Sequence, residues 1–305
     1  MNKHVYGKNF PKSEGVSLEK TPKELSVLPF SMIPENKKDL FLVNLSYAYR
    51  DIFGHGKSVD KSGWGEYLIC NNCSNQKSIE DATGEVEYRF LCDTESKNTP
   101  INSNCDNCGS EMEYFHDPVS IITETRQQMS EKAFYGASII DDDLRVYGFI
   151  YSWIDSVKRI WEEKINDLYN ITPDQLKYSD FINQITQKTR GKINESTNVL
   201  YLAEVGLIQP ARNQKALFEM FRAMFSEFEE EVYNIPTLVT SEEDKRSYML
   251  LEGADHDVVC ETENYSLKTL SGNVRKLVQE WSLSPDEFFK KHENVIKRWQ
   301  VRIKK

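Results

Sequence analysis

Two short cysteine pairs, Cys70-Asn71-Asn72-Cys73 and Cys105-Asp106-Asn107-Cys108, have the residue types and spacing best suited to chemistry in this chain. A CxxC turn presents two sulfurs on one side, and two such turns supply the four thiolates of a tetrahedral zinc ion. Four sulfurs leave no open position for water, so this ion would hold structure and carry out no reaction. The stretch between the pairs, residues 74–104, is longer than usual for such sites and predicts a hairpin plus a loop. His4, His55, His116, His256 and His292 show no metal spacing among themselves. Cys92 and Cys260 read as small apolar fillers.

A second kind of chemistry is suggested by Glu204. It interrupts residues 199–208, an otherwise apolar run bounded by Gln209-Pro210. A carboxylate partly desolvated in a cleft can accept a proton from an ammonium group. Alternation does not decide whether Glu204 faces a cleft or solvent, because Tyr201, Ala203 and Val205 are all apolar or amphipathic. The run leads into an amphipathic helix in which Leu217, Phe221, Met224 and Phe228 recur at helical spacing. A strand feeding a helix leaves the first helical N–H groups unpaired, and with the helix dipole they suit a diphosphate. Residues 212–216 would form that cradle.

The elements that must position these groups follow from periodicity and punctuation. Residues 1–36 are polar, carry Pro11, Pro22, Pro29 and Pro34, and read as an extended arm; 25–30 is a docked segment or strand within it. Phe41, Leu45, Ala48, Tyr49, Ile52 and Phe53 give an amphipathic helix that stops near Gly54. A zinc ribbon over 67–112 follows, then a helix over 117–130. Strands over 134–140 and 144–153 are joined by Asp141-Asp142-Asp143 as a hairpin. Residues 155–197 form a helical insertion. Strand 237–240, helix 244–252 and strand 257–261 come next. Residues 267–281 and 285–302 read as two C-terminal helices, the second opened by Ser284-Pro285-Asp286-Glu287.

The 305 residues suffice for one large domain or two smaller ones. The formal net charge of −10 argues against broad phosphate-backbone binding, so nucleic acid is not an expected partner. No apolar run approaches membrane-spanning length. The polar N-terminus, 1–15, lacks the apolar centre of a secretory signal. With four of six cysteines in metal spacing, a reducing, cytoplasmic setting is expected.

Three segments together resemble the GNAT superfamily of N-acyltransferases. Residues 134–149, through Val146-Tyr147-Gly148-Phe149, are similar to the hairpin that faces the acyl site. Residues 200–214 look like the strand, loop and helix of the acyl-CoA motif. Thr237-Leu238-Val239-Thr240 and the helix bearing Tyr248 and Leu251 resemble the elements that complete the cofactor cleft. The likeness implies an α/β fold with a mixed central sheet over 37–66 and 113–265, interrupted by the zinc ribbon and followed by a helical segment, 266–305. It implies acyl transfer from acetyl-CoA or another acyl-CoA to a primary amine on a small molecule or protein. Glu204 would be the base, Tyr248 the acid, and Leu207, Ile208, Arg212, Asn213, Gln214, Lys215 and Ala216 would hold the cofactor. Lys215 and Leu217 stand where the family places glycines. That departure fits two alternatives: an N-acyl synthase fed by an acyl carrier protein, or a non-catalytic zinc-ribbon binding protein.

Overall fold

The computed structural model describes residues 25–53, 67–70, 72–73, 76–78, 104–114, 118–131, 133–170, 176–208, 211, 214–242, 246–262 and 267–303. Arg212, Asn213, Cys92 and most of the expected N-terminal arm lie outside them. Strands are β1 (Ser26–Pro29), β2 (Tyr67–Ile69), β3 (Gln76–Ser78), β4 (Glu113–Tyr114), β5 (Ala133–Ile140), β6 (Val146–Ser156), β7 (Asn198–Leu207), β8 (Pro236–Glu242), β9 (Asp257–Glu261) and β10 (Leu267–Asn273). Helices are α1 (Lys38–Phe53), α2 (Pro118–Glu131), α3 (Val157–Ile160), α4 (Asn166–Asn170), α5 (Tyr178–Lys188), α6 (Gln214–Phe225), α7 (Arg246–Gly253), α8 (Val274–Trp281), α9 (Pro285–Lys291) and α10 (Glu293–Ile303). A π turn, Trp161–Ile165, joins α3 to α4.

Seven strands form a mixed sheet in the order β1-β5-β6-β7-β8-β10-β9, and β3-β2-β4 form a separate small sheet. Neighbours in the large sheet are antiparallel except β7 and β8. Helices cover both faces. On one, Phe41, Leu45 and Ala48 of α1, Ile122 of α2, and Trp161, Ile165, Phe181 and Ile185 pack onto Phe149, Trp153 and Tyr201. On the other, Phe218, Phe221 and Phe225 of α6, Leu251 of α7 and Trp281 of α8 pack onto Ile150, Leu200 and Leu202. Aromatic rings set the second face: Trp281 stacks on Phe221 with centroids 3.8 Å apart. Burial of such stripes, more than helix propensity, fixes these helices.

The β5–β6 hairpin forms as its turn residues dictate. Asp141 Oδ1 accepts from the backbone N–H of Asp143 and Arg145 at 2.9 and 3.0 Å, and Tyr147 Oη donates to Oδ2 at 3.1 Å. The side chain thereby reinforces the backbone turn closed by Leu144 N–H to Asp141 O at 2.9 Å. Asn44 of α1 donates to Leu144 O at 2.8 Å and ties the turn to the first helix. At the other end of the chain, Ser284 and Glu287 form the reciprocal capping box that opens α9.

Two expectations need correction. Residues 267–273 are a strand and not the start of a helix, and they lie inside the large sheet between β8 and β10's other neighbour, β9. Leu267, Leu270, Val274, Leu277 and Trp281 keep a helix-like spacing across the boundary. Because both faces of the sheet are covered, Leu267 and Leu270 bury on opposite sides and mimic that period. The helix begins only where Asn273 Oδ1 caps the N–H groups of Arg275 and Lys276. The 266–305 segment is therefore not helical throughout. The docked strand expected within 25–30 is present, and it makes the end of the N-terminal arm part of the domain. β1 pairs with β5, and Phe30 and Ile33 are core residues.

Buried His256 locks β8 to β10. Its Nδ1 lies 3.1 Å from Ala254 O, which can only accept, so Nδ1 carries the proton. Nε2 then accepts from Thr237 Oγ1 at 2.8 Å, and that oxygen accepts from Gly272 N–H at 2.9 Å. Burial holds the imidazole down to about 4, against the weaker opposing pull of its hydrogen bond to Ala254 O and the Asp255 charge. A depressed folded value means that the unfolded chain binds the proton first. The His256 contribution to stability is therefore complete above about pH 6.5 and is lost as pH drops toward 4, by ~1.4 kcal/mol per unit. Buried Glu204 titrates with the opposite sign over much of that window, so in thermal melts the slope should appear as the difference in stability between wild type and His256→Gln. An equal slope in the variant would mean that His256 is not the titrating group.

Candidate active site

β7 and β8 pair in parallel at only two positions, Leu200 with Thr237 and Tyr201 with Leu238. β7 continues to Leu207 and β8 to Glu242, yet no further pairing joins them among the described residues. On its other side β7 stays paired to β6 as far as Leu207. The two parallel strands thus part beyond Tyr201, which leaves a split in the sheet at their carboxyl ends. Ligands of open α/β sheets bind at that end of the strands.

Glu204 lies just past the parting, and a β-bulge aims it. Tyr151 pairs with Glu204 while its neighbour Ser152 pairs with Leu202, so Ala203 is an extra residue in β7. Strict alternation would put Glu204 on the α6 face with Leu200 and Leu202. The inserted residue turns it onto the α1 face, beside Tyr201 and Tyr151. There Tyr49 Oη of α1 donates to Glu204 Oε1 at 3.0 Å. Burial raises the Glu204 carboxyl to about 7. The charge of Lys164 and the Tyr49 hydrogen bond pull the other way, and Glu124 adds to the rise. Lys164 belongs to the π turn, and its Nζ bonds Glu124 Oε2 of α2 at 3.3 Å. Single-turn π segments inside helices often occur at functional sites. Burial and the nearby carboxylate push the Tyr49 and Tyr151 hydroxyls well above the usual tyrosine range, so both remain protonated donors.

The other site residues expected from sequence are spread around the split. Tyr248 is buried on α7, on the opposite face of the sheet from Glu204's side chain. Leu207 ends β7 and Ile208 is buried directly after it. Gln214 opens α6, Lys215 is exposed on its first turn, and Ala216 is partly buried against the α6 face. Cys260 is buried in β9, and burial lifts its thiol to about 12, which makes it a poor nucleophile.

The four cysteines of the two CxxC pairs do come together. All four sulfurs lie within 4.8 Å of one another, with Cys70 and Cys108 3.5 Å apart and Cys73 and Cys105 3.4 Å apart. A tetrahedral zinc with ~2.3 Å bonds requires sulfurs ~3.8 Å apart, so the cluster fits that ion. The second knuckle closes through Cys105 N–H to Ser110 O and Gly109 N–H to Cys105 O, both 2.8 Å. Gly109 has φ +74°, a left-handed turn that glycine adopts without strain. Hydrogen bonds from Ser110, then Asn72, bring the Cys108 thiol down to about 5, which favours the thiolate a metal needs.

No model of a known protein family matches this chain, and no curated protein matches it. Among solved structures, the chain is similar to Arabidopsis thaliana NAA60 in complex with a bisubstrate analogue. The identity is 11%, the match covers 49% of this chain and 80% of that chain, and the TM-score is 0.27. Among the described residues, no helix is long and apolar enough to cross a membrane.

Proposed function

We propose that this protein is a GNAT-like N-acyltransferase that moves an acyl group, acetyl in the simplest case, from a coenzyme A thioester to a primary amine. The observation that carries the reading is the parting of β7 and β8 with the raised carboxyl of Glu204 beside it. Beyond Tyr201 the β8-facing edge of β7 pairs with no strand among the described residues, so its amides are placed to bind a thioester carbonyl and stabilise the developing oxyanion. Glu204, poised near neutrality, takes the proton of the incoming ammonium, and the free amine attacks the thioester directly. Atoms balance without a covalent enzyme intermediate: the C–N bond forms, the C–S bond breaks, the adduct nitrogen gives its second proton to solvent, and the thiolate takes a proton. We assign that last step to Tyr248. Glu204 and Tyr248 lie on opposite faces of the sheet, which suits an acceptor entering on the α1 side and a donor on the α6–α7 side.

The start of α6 would hold the diphosphate through Gln214, Lys215 and Ala216, with Arg212 and Asn213 in the preceding loop and Leu207 and Ile208 beside the pantetheine. Lys215 offers a charge where a glycine would offer only backbone. Coenzyme A at a hundredfold excess over Kd should raise stability by about 2.7 kcal/mol, a rise in melting temperature of roughly 4–8 °C. Lys215→Glu should shrink that rise by setting like charge against phosphate. No stabilisation by millimolar coenzyme A or acyl-CoA would defeat this donor assignment and favour a carrier-protein thioester. The cysteine cluster would hold one structural zinc ion and take no part in the reaction.

A further inference from the structure

The last turn of α1 is clamped onto the candidate base from three directions. The Tyr49 ring stacks on Phe149 at 5.7 Å with planes 11° apart. Phe149 and Gly206 are partners across β6 and β7. Ile52, one turn beyond Tyr49, rests on Gly206 so closely that a Cβ there would come 2.5 Å from Ile52 Cγ2. Tyr49 Oη then reaches Glu204 Oε1 at 3.0 Å. Packing alone thus fixes where that hydroxyl sits. Glu204 Oε2 accepts from no described residue. A partly buried carboxylate with one oxygen held and the other unmatched is costly unless a ligand or water completes it.

We propose that Tyr49 is a positioning residue for Glu204: it occupies Oε1, fixes the carboxylate rotamer, and leaves Oε2 as the single oxygen that receives the acceptor's proton. The proposal rests on the acyltransferase reading. It adds a role for a helix residue 155 positions away in sequence. Proton transfer needs the accepting oxygen within about 3 Å of the donor, so a carboxylate free to rotate would spend much of its time misaligned. Among the described residues, the titratable groups that act electrostatically on Glu204 are Tyr49, Lys164, Glu124, Tyr151 and Tyr201. Of these only Tyr49 has a hydrogen bond to it.

Tyr49→Phe keeps the ring, its stack and its volume and removes only the hydroxyl. The Glu204 titration can be followed directly by carbon NMR of the protein carrying labelled glutamate, assigned with Glu204→Gln. Because the hydrogen bond favours the charged form, its loss should move that titration upward by about half a unit to one unit. The acid limb of kcat/KM for amine acylation should move by the same amount, with kcat/KM near pH 7 reduced roughly tenfold and KM for the donor unchanged. A merely structural tyrosine would alter the melting temperature and leave the titration in place. An unmoved Glu204 titration in Tyr49→Phe overturns the proposal. If the titration moves but the wild-type protein acylates no amine, the acyltransferase reading fails and the pairing of Tyr49 with Glu204 stands.

Discussion

Glu204→Gln should cut turnover at neutral pH roughly a hundredfold, with donor binding nearly unchanged, as expected for the loss of one general base. Gln keeps the shape of the side chain and an oxygen for Tyr49 Oη to donate to. The wild-type rate should rise through about pH 7, where Glu204 loses its proton, and the variant should lack that limb. The loss should narrow at high pH, where free amine forms without help. Stability should move the other way. A carboxyl raised in the folded state is already ionised in the unfolded chain above about pH 4.5, so the Glu204 contribution to stability falls between there and pH 7, by up to ~3 kcal/mol, against the opposite trend from His256. Glu204→Gln removes that cost and should melt higher than wild type at pH 8. An active site that is less stable than it need be is the usual sign of function. Wild-type acylation by the Gln variant at pH 7 would remove Glu204 from the mechanism.

Glu204 was legible in the sequence as a carboxylate in an apolar strand, but its direction was not. The bulge at Ala203 decides which face it takes, and that bulge exists only in the pairing with β6. Tyr49 was legible as one member of the apolar stripe of α1. Nothing local marks its hydroxyl as the partner of a residue on β7, because the contact depends on how α1 seats over Gly206. The β5–β6 hairpin, β7, β9, α6 and the α9 cap were all readable, since each is fixed by neighbours in sequence: an Asp turn, a bounded apolar run, a helical stripe, a capping box. β10 was misread because burial on both faces erased the period-two signal. The parting of β7 and β8 is likewise a fact of tertiary pairing. The likeness to a family implied a cofactor cleft there and said nothing of strands that part.

The cysteine cluster carries the other large effect expected here. Its sheet is built from strands of three, three and two residues, and Met112 is the one large apolar side chain buried in it among the described residues. The apolar surface buried by these described residues is too small to offset the entropy of ordering them. A bound metal can, since apparent binding energies for structural zinc in small modules are about 10–16 kcal/mol. Purified, unchelated protein should therefore contain one zinc per chain. Cys105→Ser removes a buried ligand and should abolish both the stoichiometric zinc and amide protection of β2, β3 and β4. Neither hydrophobic cluster of the large sheet includes any described residue from 67 to 114. The same substitution should therefore leave hydrogen exchange in β5 to β10 and the main melting transition close to wild type. Protein that is zinc-free yet protected in β2 to β4 would show that the sulfurs gather without a metal. Collapse of the whole sheet in Cys105→Ser would show instead that the cluster supports the acyltransferase core directly, through contacts outside the described residues.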